Sequence, residues 1–176
     1  FNLFVFYELM SVLAFALCGY KTEDPGSQQG AINFAVMNTI GGFLALLGIG
    51  MLYSRTGALN MAQIGRTLGP QADLLVVTAF VCILCGFFVK AAAFPFHFWL
   101  ADAHAVAPTP VCVLFSGVMV ELGVYGVARV YWSVIDGPLV NHHAALTATL
   151  LVIGAITALL GAIMCFVQRH IKRLLA

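Results

Sequence analysis

The chain divides into five long apolar stretches separated by short polar connections. They are Phe1–Tyr20, interrupted by Asn2 and Glu8; Ala31–Tyr53, with Asn33 and Asn38 near its start; Leu74–Ala93, carrying Lys90; Val111–Trp132, carrying Glu121 and Arg129; and Leu146–Val167, which has no charge. A helix needs about 20 apolar residues to cross a hydrocarbon core about 30 Å thick. The runs are continuous, whereas a membrane barrel strand alternates over about 10 residues. The pattern therefore predicts an all-α, polytopic membrane helix bundle with five transmembrane helices. Residues 1–176 read as a single transmembrane domain. Small residues within the runs, among them Gly41, Gly42, Gly48, Gly123 and Gly126, let neighbouring helices approach closely.

The connections carry turn chemistry. KTEDPGSQQG holds Pro25-Gly26, a turn signal. SRTGALNMAQIGRTLGPQAD is polar but contains Leu59, Met61, Ala62 and Ile64, which predicts a short helix lying at the interface. FPFHFWLADAHAVAPTP holds three prolines, and DGPLVNHH is the last connection. The first connection and the C-terminus share one side of this arrangement, with Lys21, Arg169, Lys172 and Arg173; Arg55, Arg66 and Arg129 lie on the other. The excess, and the QRHIKR cluster tight against the last span, place the C-terminus in the cytoplasm by the positive-inside rule. The chain opens on an apolar run without an initiating Met and stops in RLLA without a cap. It reads as an excised piece of a longer, multi-pass protein of the cell inner (plasma) membrane.

Composition narrows the function. Apolar residues make up 62% of the 176 residues and charged residues 9%, with a net charge of +1. A soluble domain has about 45–50% apolar and about 25% charged residues. Eight Lys and Arg and seven Asp and Glu are too few to solvate a globular surface of this size. A soluble enzyme and a disordered tail are excluded. So is a nucleic-acid binder, which needs clustered Lys and Arg. Cys82 and Cys85 form a C-x-x-C pair. Both sit within LLVVTAFVCILCGFFV with no second pair, so they read as small buried hydrophobes.

Ionisable groups at bilayer depth cost about 2.5–3.5 kcal/mol each on insertion scales, which makes Glu8, Lys90 and Glu121 the functional candidates. Glu8 reads either as an interfacial carboxylate or as a buried one, since Phe1, Leu3, Phe4 and Phe6 before it are apolar. Lys90 lies sixteen residues beyond Leu74, about 24 Å along a helix. It could snorkel to the far interface. Pro95 follows five residues later and breaks or kinks the helix, and freed carbonyls beside an ammonium are what a broken transporter helix offers to ions. Glu121 falls near mid-membrane and reads as a neutral glutamic acid, a structural partner of Lys90, or a titrating relay. Carboxylate, amine and carboxylate on separate helices can pass protons through water, each shifting the proton affinity of the next. His97 and His104 flank Asp102 in HFWLADAH. No fourth metal ligand is evident, and the two histidines read as proton-transfer groups at a cavity mouth. His142, His143 and His170 read as solvated.

KAAAFPFHFWLADAHAVAPTPVCVLFSGVMVELGVYGVARVY, Lys90 to Tyr131, resembles the signature of the antiporter-like proton-conducting membrane subunits. These occur in respiratory complex I, in multi-subunit Na⁺/H⁺ antiporters and in membrane-bound hydrogenases such as formate hydrogenlyase. The family pattern is roughly K-x-x-x-x-P-x-x-x-W-L-P-D-A-H-x-x-A-P-T-P-V-S, followed by a span ending K-x-G-x-Y. FYELMS resembles the family's glutamate-bearing helix, and QRHIKRLLA its Q-x-D-[IL]-K-R-L-L-A motif. The resemblance implies that Glu8 pairs with Lys90 on a broken helix. It implies that Glu121 occupies the place of a second lysine that hands protons onward, and that the chain is part of a larger inverted-repeat fold. Glu121 departs from that lysine, Ala101 from the motif's proline, Cys112 from its serine and His170 from its aspartate. The carboxylate at Glu121 favours a hydrogenase-type branch.

The expectation is a proton-translocating membrane subunit of a complex I-like or hydrogenase-like respiratory complex. Its relay is Glu8, Lys90 and Glu121, with proton entry at His97 and His104. Its partners are the lipid bilayer, other membrane subunits and a peripheral redox module, and it carries protons, with Na⁺ as the alternative. No haem pair, iron–sulfur cysteine pattern or nucleotide loop is present in the sequence, so no cofactor and no metal are expected, and any oxidoreductase activity belongs to the complex. The rival readings are a Na⁺/H⁺ antiporter subunit and a membrane scaffold with static ion pairs.

Overall fold

The computed structural model of the chain describes residues 1–69 and 73–175. Pro70, Gln71 and Ala72 of the second connection, and Ala176 at the end of QRHIKRLLA, lie outside the described residues. Among the described residues all regular structure is helical: α1 (Asn2–Cys18), α2 (Pro25–Thr56), α3 (Met61–Leu68), α4 (Leu74–Lys90), α5 (Phe98–Val106), α6 (Thr109–Leu114), α7 (Glu121–Val130), α8 (His143–Val167) and α9 (Ile171–Leu175). A π-helical turn at Phe115–Val120 joins α6 to α7, and a second at Tyr131–Ile135 extends α7, giving one continuous helix, Thr109–Ile135. That helix, α2 and α8 are long and apolar enough to cross a membrane, at 27, 32 and 25 residues; α1 and α4 are shorter apolar helices.

Side-chain caps explain where the helices start. The Asp24 carboxylate accepts from the Gly26 N–H at 3.1 Å, and Pro25 sits in the first turn, where its missing N–H costs nothing. The Pro25-Gly26 pair is therefore a helix start rather than a turn, and α2 begins ahead of the expected Ala31. Gly57 ends α2 in the left-handed region at φ 65°, a conformation free of steric cost only for glycine. Asn60 caps α3, the short helix expected in the second connection, through Ala62 N–H at 3.0 Å, and Asp73 caps α4 through Leu74 N–H at 2.7 Å.

α4 stops at Lys90. Ala92 turns the chain at φ 50° and the Phe94–Pro95 peptide is cis; Pro95 has no N–H with which to continue a helix. The apolar pattern assigns the following residues to a connection, but Phe98–Val106 is a helix, and it takes over where α4 ends. The long helix α2 serves as the ruler, at about 48 Å. A Cβ on Gly48 would meet the Ala79 carbonyl at 2.5 Å, one on Gly41 would meet Val89 at 2.8 Å, and one on Gly30 would meet Val106 at 2.6 Å. α4 thus packs along the second half of α2, and α5 along the first half. The two run one after the other along α2, so Lys90 lies beside the centre of α2 instead of near the far end of a complete helix.

Two apolar clusters fill the bundle. One gathers Tyr7, Ile83, Phe87, Val130 and Ile135; the other gathers Phe34, Trp99, Phe115 and Met119. The Phe34 and Trp99 rings stack at 4.6 Å with an interplanar angle of 6°. Along α1 the seam between the clusters falls between Tyr7 and Ala14, and along the broken helix between Phe87 and Ala92. Glu8 and Lys90 occupy that seam. α8 has no buried residue and lies on the outside of the bundle.

Candidate functional site

Lys90 is the last residue of α4 and is 3% exposed. Its Nζ lies 3.0 Å from Glu8 Oε1 on α1, 82 positions away in sequence, and donates to Ser11 Oγ. The Ser11 hydroxyl in turn donates to the Tyr7 carbonyl at 2.9 Å. Glu8 and Ser11 are three apart in a helix, so they share a face. The Tyr7 hydroxyl, from the same stretch of α1, donates to the Leu122 carbonyl of α7. α1 thereby bridges the broken helix and the Thr109–Ile135 helix at the level of the pair.

Glycine makes the approach possible. A Cβ on Gly42 would lie 2.7 to 2.8 Å from the Glu8 carboxylate atoms, and one on Gly86 would lie 2.6 Å from the Gly41 carbonyl. α2 can seat the carboxylate only because position 42 has no side chain. The pair is asymmetric: the lysine side chain is 4% exposed and the glutamate 31%. A pocket lined by Tyr7, Glu8, Gly42, Phe87 and Lys90 opens beside it.

The break supplies further polar groups. The Trp99 indole N–H donates to the Val89 carbonyl at 2.9 Å, so α5 satisfies an acceptor that the end of α4 leaves free. Phe94 N–H donates to the Thr157 hydroxyl of α8 at 3.0 Å. Three buried side-chain atoms have no protein partner among the described residues: Asn38 Oδ1, His97 Nδ1 and His104 Nε2. His97 is half-buried just before α5. His104 is 4% exposed and packs edge-on against Phe115 at 5.7 Å; it is an interior residue, not one at a cavity mouth.

Glu121 stands apart. It is exposed, and it makes no hydrogen bond or ion pair among the described residues. The helical period explains this. Gly123, Gly126 and Val130 form the buried face of α7; a Cβ on Gly123 would meet Ala91 N at 2.6 Å, and one on Gly126 would meet the Phe87 ring at 2.4 Å. At 3.6 residues per turn, Glu121 points about 180° away from that face. The structure joins Glu8 to Lys90 and sets Glu121 on the far side of α7, immediately after a π-helical turn, so Lys90 and Glu121 are not partners as one sequence reading supposed. Sequence reasoning also passed over Ser11 and Trp99, and it read Gly42 as a helix-packing residue without linking it to Glu8. Ser11 was findable, because it sits one turn from Glu8 on the same face.

Among the described residues no cluster of three His, Cys, Asp or Glu side chains is placed to hold a metal ion. Cys82 and Cys85 are free, partly buried thiols.

Comparison with known proteins bears on the family and the fold. The chain is 36% identical over 182 residues to NADH-quinone oxidoreductase subunit N of Desulforudis audaxviator (strain MP104C), across 100% of this chain and 34% of that protein. It superposes with a TM-score of 0.90 and 30% identity on a chain of the membrane-bound sulfane sulfur reductase, an archaeal respiratory membrane complex, covering 99% of this chain and 35% of that one. A chain of the Mrp complex from Dietzia sp. DQ12-45-1b matches with a TM-score of 0.69 and 28% identity, over 77% of this chain and 26% of that one. The chain thus spans about a third or less of the length of these relatives. The model of the NADH:quinone oxidoreductase/Mrp antiporter transmembrane family matches residues 1–176, and the chain, an antiporter-like membrane segment with a lysine–glutamate pair at a broken helix, belongs to that family.

Proposed function

We propose that this chain carries a proton-transfer station of a membrane subunit that translocates protons, driven by redox chemistry in partner subunits. One observation carries the reading: an ammonium 3% exposed, at the break of a helix, neutralised by a single carboxylate at 3.0 Å. Removing one partner of a buried ion pair costs about 3–5 kcal/mol, because a bare charge remains in a poorly solvated place. A change of charge that draws Glu8 away therefore drives Lys90 to release its proton, and the return of Glu8 recharges it. Glu8, the more exposed partner, receives the outside signal. Asn38 Oδ1, His97 Nδ1 and His104 Nε2 can each hydrogen-bond a proton-carrying water. Glu121 is the onward acceptor on the opposite face of α7, toward whatever packs there in the full-length subunit. It is also the one residue that points to a hydrogenase-like branch.

A second reading, exchange of Na⁺ for H⁺, is favoured by the likeness to the Mrp chain. A static scaffold is the third. The discriminating experiment uses the full-length subunit in its assembled complex, in sealed membrane vesicles. Lys90→Ala and Glu8→Gln should each abolish proton uptake per assembled complex. Uptake that persists in both variants refutes the relay and leaves the scaffold. Uptake in the unaltered complex that requires Na⁺ replaces the redox-driven reading with the exchanger.

A further inference from the structure

The basic C-terminal cluster has no part in the station just described, yet it touches the broken helix. Lys172 Nζ donates to the Ala107 carbonyl at 2.9 Å, and Arg173 Nη2 lies 3.1 Å from Asp102 Oδ1. The Thr157 hydroxyl of α8 accepts from Phe94 N–H at 3.0 Å. These contacts grip the segment from Phe94 to Ala107 at its beginning, its middle and its end. Within that segment lies α5 and little else.

From the geometry we infer that α8 and α9 form a strap that positions the second half-helix beneath Lys90, with Arg173, Lys172 and Thr157 as positioning residues. The inference rests on the Glu8–Lys90 station as the transport site. Three observations support it. First, α8 has no buried residue; Leu146 near its start packs against the first apolar cluster, and farther along the polar contact of Thr157 holds it to the broken helix. Second, α5 reports directly to the station: Asp102 is three residues from Trp99, whose indole holds the Val89 carbonyl next to Lys90 at 2.9 Å. Third, the clamp has the right signs. A cation at Ala107 faces the negative end of the α5 dipole, and Arg173 meets a carboxylate. Movement of α8 and α9 would thus pass through Asp102 and Trp99 to the backbone that carries Lys90. The Arg173 and Asp102 side chains are 43% and 42% exposed. Exposed pairs contribute little to stability, so cutting this one removes positioning while leaving the fold intact.

The test uses charge reversal and charge swap in the full-length subunit within its complex. Arg173→Asp and Asp102→Arg are made singly and together, beside Arg173→Lys and Lys90→Ala. Hydrogen exchange of the peptide covering Phe98–Val106 is the readout independent of transport. Each single reversal should speed its exchange by about two- to fivefold, the range open to an exposed pair, and should lower protons moved per electron with complex abundance unchanged. The double swap and Arg173→Lys should restore both. Unchanged exchange and unchanged proton yield in both single reversals overturn the strap. So does a loss that the double swap leaves unrepaired. If Lys90→Ala retains full proton yield, the station fails; if Lys90→Ala abolishes it while the reversals do not alter it, only the strap fails.

Discussion

Gly42→Ala tests the site with a single methyl group. Its Cβ would lie 2.7 Å from the nearer Glu8 carboxylate oxygen, whereas ordinary van der Waals contact begins near 3.4 Å. The carboxylate must therefore retreat by about 0.7 Å. Taken along the axis of the pair, that lengthens the distance to Lys90 from 3.0 Å to about 3.7 Å. With an effective dielectric constant of about 20, the attraction falls from about 5.5 to about 4.5 kcal/mol. A loss of about 1 kcal/mol is a factor of about five in the ratio of paired to unpaired states. Gly50→Ala is the matched control: it lies in the same helix, and its Cβ would meet nothing within 4 Å. Replacing a mid-helix glycine there stabilises by up to about 1 kcal/mol. The assay is proton uptake by vesicles bearing the assembled complex, divided by the amount of complex. Gly42→Ala should lower uptake, by up to about fivefold, and Gly50→Ala should not. Equal uptake in the two would refute the claim that α2 seats the glutamate against the lysine.

Other substitutions separate structure from transport. Gly48→Ala sets a Cβ 2.5 Å from the Ala79 carbonyl, a backbone atom that cannot swing aside. It should lower the amount of assembled complex, measured on native gels, while each surviving complex pumps normally. Trp99→Phe removes the indole N–H from the buried Val89 carbonyl. Losing a buried hydrogen bond costs about 1–3 kcal/mol, so the purified complex should melt at a lower temperature; an unchanged melting curve would contradict the role given to Trp99. Glu121→Gln alters an exposed side chain with no partner among the described residues. It should leave the melting temperature unchanged and abolish proton uptake, and normal uptake would remove Glu121 from the path.

Much of this was legible in the residues themselves. Long apolar runs with few charges specify helices in a membrane, since transfer energies add along the chain and the backbone must satisfy its own hydrogen bonds in lipid. Local chemistry marked the interruption after Lys90, because proline cannot donate, and singled out Glu8, Lys90 and Glu121 as charges in costly surroundings. The cap at Asp24 was misread: Asp24 and Pro25 start α2, where the sequence reading took Pro25-Gly26 for a turn and put the start at Ala31. Hydropathy could not place Phe98–Val106, a short segment among prolines whose helical role depends on the length of α2 beside it.

What packing alone decided is which charges meet. Glu8 and Lys90 are 82 positions apart and come within 3.0 Å because Gly41, Gly42 and Gly86 let three helices close on one another. Glu121 has the same kind of side chain at a similar expected depth, yet it faces outward because Gly123 and Gly126 turn the other side of α7 toward α4. The clamp of Arg173 on Asp102 belongs to this class as well. A sequence records the cost of burying a charge, which depends on the residue and its neighbours along the chain. Whether that cost is offset depends on distances between helices, and these are set by surfaces that meet only after the chain has folded.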